Sequence, residues 1–328
     1  MPSNHTKKKH RKRSHTKTNK SKISPKEANR IVQRLHPYSS EKALLEFQTL
    51  RKKMTCPKAK QAAARTTLGN NIVDTFTLIE RLHAKGEQNI SFYEFWKQRA
   101  EFKKKPYVKK MLEFYETRNI DEIRKLRYIY NLYFSAITIF RPVMAMELYC
   151  RVNARRVLDF TMGWGGRLVG ACALNLDAYY GIDLNTHLRE PYNKMVETLK
   201  KAPDMKTDIH LYFQDALTVD YSKMDYDTVF TSPPYYDMEI YRGKKQYNHT
   251  KWSEQDWNTR FYIPIIRTTF SHLKQNGQYC LNVPEKIYTT VCIGILGKCT
   301  RKILLKKGER KQGESYKEYI YIWKKDSK

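Results

Sequence analysis

From Arg156 onward, short apolar runs alternate with longer amphipathic ones, and this alternation restricts the fold more than any other feature of the chain. Arg156-Val157-Leu158-Asp159-Phe160 reads as a strand, followed by the turn Gly163-Trp164-Gly165-Gly166 and an apolar helix through Leu174. Tyr179 to Asp183 reads as a second strand, and a helix starts near Pro191, a residue suited to a first turn. His210 to Phe213, Thr228 to Phe230 and Tyr279 to Val283 add three strands. Ser253 caps a long helix running to about Lys274, and Tyr316 to Trp323 alternates as a final strand. Strands and helices in this order predict an α/β fold with a doubly wound, mainly parallel sheet.

The preceding part reads differently. Residues 1–24 hold no acidic residue and carry the block Lys7-Lys8-Lys9-His10-Arg11-Lys12-Arg13, which predicts a disordered basic tail. From Pro25 to about Arg118 the pattern is helical, with Asn71 to Leu82 at helical spacing and a capping box at Ser91-Phe92-Tyr93-Glu94. Aromatic residues at 92, 93, 95, 96, 102, 107, 114 and 115 interleave with lysines. At helical spacing they read mostly as a core beneath a cationic face, and the region is a candidate nucleic-acid clamp. The expected organisation is therefore a tail (1–24), a helical basic region (25–118) and an α/β domain (119–328).

Charge narrows the partner. The chain has 62 Lys and Arg against 33 Asp and Glu, and residues 1–150 alone hold 33 against 13. Such a field favours a polyanion, a nucleic acid or an anionic membrane surface. The basic start is followed by polar residues, which argues against a signal peptide, and no run has the length and apolarity of a membrane span. The six cysteines (56, 150, 172, 280, 292 and 299) are scattered without metal-ligand spacing, and no metal is expected. They read as reduced, mostly core thiols of a soluble intracellular protein. The tail would suit nuclear import in a host with a nucleus.

Four constellations carry chemistry. In the first, Asp159 precedes Gly163-Trp164-Gly165-Gly166 between strand and helix, where glycine lets a ligand approach the backbone and the helix start favours anions. In the second, Asp183 ends the second strand, where a carboxylate can accept from ribose hydroxyls. In the third, Asp215 follows the third strand, within reach of an adenine amino group. The fourth, Thr231-Ser232-Pro233-Pro234-Tyr235, follows an apolar strand. Its prolines leave the Pro233 carbonyl for a ligand, Ser232 adds an acceptor and Tyr235 a flat face, a set that fits an exocyclic amine on an aromatic ring. Pro233-Pro234-Tyr235-Tyr236 also matches a WW-module ligand, which would require an exposed, flexible segment.

This ordered set resembles the S-adenosylmethionine-dependent amino-methyltransferases of DNA, of the N4-cytosine and N6-adenine type. Upstream, Phe140-Arg141-Pro142, placed in the helix before the first strand, is similar to a further cofactor-side motif of phage and viral members. The likeness covers roughly Arg118 to Lys328 and implies a Rossmann-like methyltransferase domain with S-adenosylmethionine as cofactor. It implies that Gly163, Gly165 and Gly166 line the methionine end, that Phe140 and Arg141 lie on the cofactor side, and that Asp159 orders the glycine turn. It further implies that Asp183 holds the ribose, Asp215 the adenine, and Ser232, Pro233, Pro234 and Tyr235 the target base. Phe160-Thr161-Met162 departs from the family by its bulk. Adenine-modifying members usually carry Asp or Asn where this chain has Ser232, which tilts the target to cytosine N4; no Pro-Cys pair for C5 chemistry occurs. Adenine N6, an RNA base, and an inactive DNA-binding subunit stay open. So do a separate endonuclease partner and a homodimer. Tyr236, Asp237 and Glu239 could shape the pocket. The segment Met238 to Thr250, with Arg242, Lys244, Lys245 and His249, and the basic stretch Arg301 to Lys311 are the other candidate contacts to nucleic acid.

Overall fold

The computed structural model describes residues 23–62, 65–134, 136–236, 240–242, 252–309 and 315–326. The basic block at 7–13, Asp237, Glu239, Lys244, Lys245 and His249 lie outside these residues. Helices come first: α1 (Pro25–Leu35), α2 (Ser40–Lys53), α3 (Cys56–Ala62), α4 (Asn70–Arg81), α5 (Phe92–Lys97), α6 (Arg99–Lys103), α7 (Pro106–Glu116), α8 (Glu122–Tyr133) and α9 (Pro142–Val152). The capping box at Ser91 and Glu94 forms as its spacing predicts. Phe140 and Arg141 precede α9 instead of lying within it, because Pro142 has no N–H to donate and takes the first helical position.

The strands follow: β1 (Arg156–Asp159), β2 (Ala178–Ile182), β3 (Asp208–Tyr212), β4 (Thr228–Thr231), β5 (Gln278–Val283), β6 (Arg301–Glu309) and β7 (Ser315–Lys324). They form one sheet in the order β3-β2-β1-β4-β5-β7-β6. Pairing is parallel from β3 through β5, and β7 runs antiparallel between β5 and β6. This is the doubly wound, mainly parallel α/β sheet that the alternation predicts. Helices α10 (Gly166–Ala173) and α11 (Arg189–Lys200) cover one face with α9, and α12 (Glu254–Trp257) and α13 (Ile263–Ser271) cover the other. The long helix expected after Ser253 is broken by a π turn over Asn258–Tyr262. Pro264 explains it: without an N–H it cannot bond back one turn, and its ring crowds that carbonyl, so the preceding turn widens.

The core crosses Arg118. Phe47, Leu50, Ile72 and Val73 of α2 and α4 pack in one cluster with Leu168, Cys172 and Tyr179 of the α/β part. A separate cluster joins α1, α5, α7 and α8 through Ile31, Phe92, Phe95, Val108, Leu126 and Tyr130. Phe92, Tyr93, Phe95 and Trp96 are thus core, while Phe114 is 54% exposed beside Arg118. The cysteine reading needs one correction. Cys56 and Cys150 form a disulfide across 94 residues, a pairing that scattered positions in a sequence do not reveal. Cys172, Cys280 and Cys292 are buried free thiols. Among the described residues no helix is long and apolar enough to cross a membrane.

Candidate active site at the switch point of the sheet

The chain leaves β1 for β2 and β3 on one side, while β4 and β5 lie on the other, so the turns after β1 and β4 emerge side by side at the carboxyl edge. This is where open α/β sheets hold ligands. A cavity of about 820 Å³ opens there, lined by Gly163, Gly166, Arg167 and Asp183 together with Ser232, Pro233, Pro234 and Tyr235. Phe140 and Arg141 also line it.

Asp159 lies beneath the cavity and not on its wall. Its carboxylate is fully buried and accepts from Arg167 Nε at 2.6 Å, Tyr179 Oη at 2.7 Å and Thr231 Oγ1 at 2.8 Å. Burial alone would lower the Arg167 pKa, but the Asp159 charge more than offsets it and holds the guanidinium above its ordinary range. Thr231 also meets Thr161, its Oγ1 lying 2.5 Å from the Thr161 hydroxyl and 3.2 Å from the Thr161 N–H. One buried ion pair thus ties the glycine turn to the end of β4. The Asp159 oxygens are thus spent on Arg167, Tyr179 and Thr231, and the carboxylate does not line the cavity.

The glycines differ in what they permit. A Cβ on Gly166 would sit 1.7 Å from the Phe140 carbonyl oxygen, so that position admits only hydrogen. Gly165 lies behind the wall, with φ +98° and Met195 Cε 2.9 Å from where its Cβ would be. Gly163 has φ +58° with no heavy atom closer than 3.8 Å to its would-be Cβ. The Phe140 ring stands edge-on to Phe230, with the Arg167 guanidinium 5.6 Å from its centroid. Arg141 Nη1 donates to the Thr66 carbonyl at 3.1 Å.

Asp183 follows β2 and stands on the cavity wall. Its carboxylate accepts from the N–H groups of Gly163 (2.9 Å) and Asn185 (2.8 Å). Burial pushes its pKa up to about 6 against the pull of those two donors. Asp215 lies outside the wall, which its neighbour Ala216 lines, and its carboxylate caps the short turn Ala216–Thr218 by accepting from Leu217 N–H at 2.9 Å.

The turn after β4 is held by a platform that sequence reasoning missed. Asn282, buried in β5, donates through Nδ2 to the Tyr319 carbonyl at 3.2 Å, which turns its Oδ1 toward the turn. That oxygen accepts from Ser232 Oγ and Tyr235 Oη, each at 3.0 Å. Tyr235 Oη also lies 3.2 Å from Glu318 Oε1 on β7. The Pro234 carbonyl accepts from Tyr262 Oη, whereas no donor among the described residues reaches the Pro233 carbonyl. Tyr262 and Asn258, which accepts from Tyr236 Oη at 3.1 Å, both belong to the π turn. Tyr236 sits at φ +53°, an uncommon backbone state for an aromatic residue and one that clusters at functional turns. A polar Asn within Tyr279 to Val283 was the one signal in the sequence for this platform. Arg242, a candidate contact to nucleic acid, pairs with Glu80 at 2.8 Å.

No family model and no curated protein matches this chain. Among solved structures it is similar to a type I restriction-modification methyltransferase subunit from Streptococcus thermophilus (17% identity, TM-score 0.40, covering 92% of this chain and 83% of that one). It is also similar to a SAM-dependent O-methyltransferase from Thermotoga maritima (10% identity, TM-score 0.40, 61% and 71%). A third is an rRNA methylase from Streptococcus thermophilus (16% identity, TM-score 0.35, 58% and 100%).

Proposed function

We propose that the chain is an S-adenosylmethionine-dependent methyltransferase acting on an exocyclic amine of a nucleic-acid base, with cytosine N4 of DNA as the favoured target. One observation carries this: the glycine turn with Asp183, and the Ser232 to Tyr235 turn, wall a single cavity. The cofactor fits the residues present. Asp183 offers a carboxylate for a diol, Gly163 leaves open space beside the turn, and about 820 Å³ is within the range of small-molecule sites. Gly163 and Gly166 would face the methionine end, Asp183 the ribose, and Asp215 with Ala216 the adenine. S-adenosylmethionine supplies a sulfonium-bound methyl group that an amine lone pair can attack.

The chain's own contribution is alignment and charge placement. Ser232, with its proton committed to Asn282, presents lone pairs to one amine hydrogen, and the Pro233 carbonyl takes the other. Drawing both hydrogens away from the ring plane localises a lone pair otherwise spread into the base. The Tyr235 ring offers a stacking face for a base taken out of its helix. A chain of polar atoms leads from Ser232 Oγ to Tyr235 Oη (3.4 Å) and on to Glu318 (3.2 Å), a route for the proton that the alkylated amine sheds once both hydroxyls turn their own protons from Asn282 along the chain. The surplus of Lys and Arg supports a nucleic-acid substrate, and Ser232 in place of Asp or Asn supports cytosine.

The test is transfer of an isotopically labelled methyl group to unmodified DNA and RNA, with the products digested and resolved as nucleosides. The expected product is N4-methylcytosine in DNA, lost in Ser232→Ala. N6-methyladenine would keep the mechanism and overturn the choice of base. Label confined to RNA would overturn the choice of nucleic acid. No transfer to either, by protein that binds the cofactor, would overturn the enzymatic reading.

A further inference from the structure

The cavity does not stop at the sheet. Asn70, Asp74 and Arg81 of α4 and Arg127 of α8 also line it, and none belongs to a motif singled out in the sequence. Asn70, Asp74, Thr77 and Arg81 recur at helical spacing on one face of α4, and Thr77 Oγ1 donates to the Trp164 carbonyl at 3.1 Å, seating that face on the glycine turn.

The polar groups there are left incomplete. Arg81 is 92% buried, with its Nη2 on Asp74 at 2.5 Å, while Nε and Nη1 have no hydrogen-bond partner. Asn70 Oδ1 is buried and equally unpartnered. Arg127 has its guanidinium 5.1 Å from the Phe92 ring centroid, and burial together with the Arg81 charge pushes its pKa down to about 10. Unmet donors on a buried cation cost stability unless something supplies acceptors. Here two guanidinium groups face one carboxylate, which leaves one positive charge in surplus. Beside them stands an amide oxygen in need of a donor. A group that answers both needs carries a carboxylate and an ammonium on neighbouring atoms.

We infer that the helical layer supplies the subsite for a zwitterionic amino-acid end of the ligand, with Arg81 and Arg127 taking its carboxylate and Asp74 and Asn70 its ammonium. This rests on the methyl-transfer reading, under which that end is the methionine part of the cofactor. It gives α4 and α8 a role in choosing the cofactor, apart from the clamp expected of the basic region 25–118.

The test is calorimetric titration of the full chain with S-adenosylhomocysteine, which has the amino-acid end, and 5′-methylthioadenosine, which lacks it. Arg127→Gln and Arg81→Gln should each weaken S-adenosylhomocysteine binding about tenfold or more and leave 5′-methylthioadenosine unchanged. Arg127→Gln matters most, because Arg81→Gln also strips Asp74 of its partner and can unfold the chain; a thermal melt monitors this. Equal losses for both ligands, or none in folded protein, would overturn the subsite. So would weaker oligonucleotide binding with unchanged S-adenosylhomocysteine binding, which would assign the arginines to a backbone phosphate. If the unsubstituted protein binds neither nucleoside, the methyl-transfer reading itself fails, an outcome distinct from a variant that behaves like the parent.

Discussion

The turns after β1 and β4 are neighbours at the edge of the sheet, yet they are held in opposite ways. The first is locked from within, by a buried ion pair at Asp159 and Arg167 and a backbone oxygen pressed on Gly166. The second is held from outside by the Asn282 amide, the Glu318 carboxylate and the Tyr262 hydroxyl, and its own residues still line the cavity. Damage to the first should therefore register as lost folding, and damage to the second as lost rate.

Gly166→Ala gives the largest expected effect. The new Cβ would fall 1.7 Å from the Phe140 oxygen, and backbone on both sides would have to shift. A loss of about 3 kcal/mol or more is expected, at the upper end of overpacking costs, measured by denaturant unfolding. Unchanged stability would mean that the turn is not locked as described. Ser232→Ala should do the reverse: a fall of about 10² to 10³ in methyl-transfer rate for the lost acceptor, with about 1 kcal/mol or less of stability at stake.

Asp183, which bridges the comparison, adds a pH signature. Its folded pKa of about 6 lies above its unfolded value, so its contribution to stability is complete below about pH 4 and is lost as pH rises through 6. Binding of S-adenosylhomocysteine should move the other way. The ionised carboxylate is the better acceptor for a diol, so affinity should fall as pH drops below 6, and Asp183→Asn should flatten that dependence. The smallest effect is expected for Tyr235→Phe, which keeps the stacking face but cuts the polar chain to Glu318. The rate should fall about tenfold or less with stability nearly unchanged, and a loss as large as that of Ser232→Ala would make the tyrosine hydroxyl a principal catalytic group.

The sheet was legible because strand length and helix spacing are local properties, written in runs such as Arg156 to Phe160 and Tyr279 to Val283. The acids at strand ends were legible as positions and less so as roles. Asp159 and Asp183 look alike in sequence, and only the presence of Arg167, Tyr179 and Thr231 around the first sets them apart. Gly166 was assigned to ligand contact, whereas its strict requirement comes from Phe140, 26 positions upstream. Asn282 and Arg81 were missed for a related reason: a polar residue in an apolar strand or helix reveals its purpose only once the facing segment is known. The Cys56–Cys150 pair, joined across 94 residues, was hidden in the same way.

The position of β7 between β5 and β6 bears on the order in which the protein matures during synthesis. The five strands β1–β5 leave the ribosome earlier than the strand that carries Tyr319, which orients Asn282, and Glu318, which meets Tyr235. A nascent chain can thus bring together the turns that wall the cavity while Ser232 and Tyr235 still lack their full backing. The Ser232 to Tyr235 turn therefore gains its contacts to Glu318, and Asn282 its orienting carbonyl, only after β7 has paired with β5.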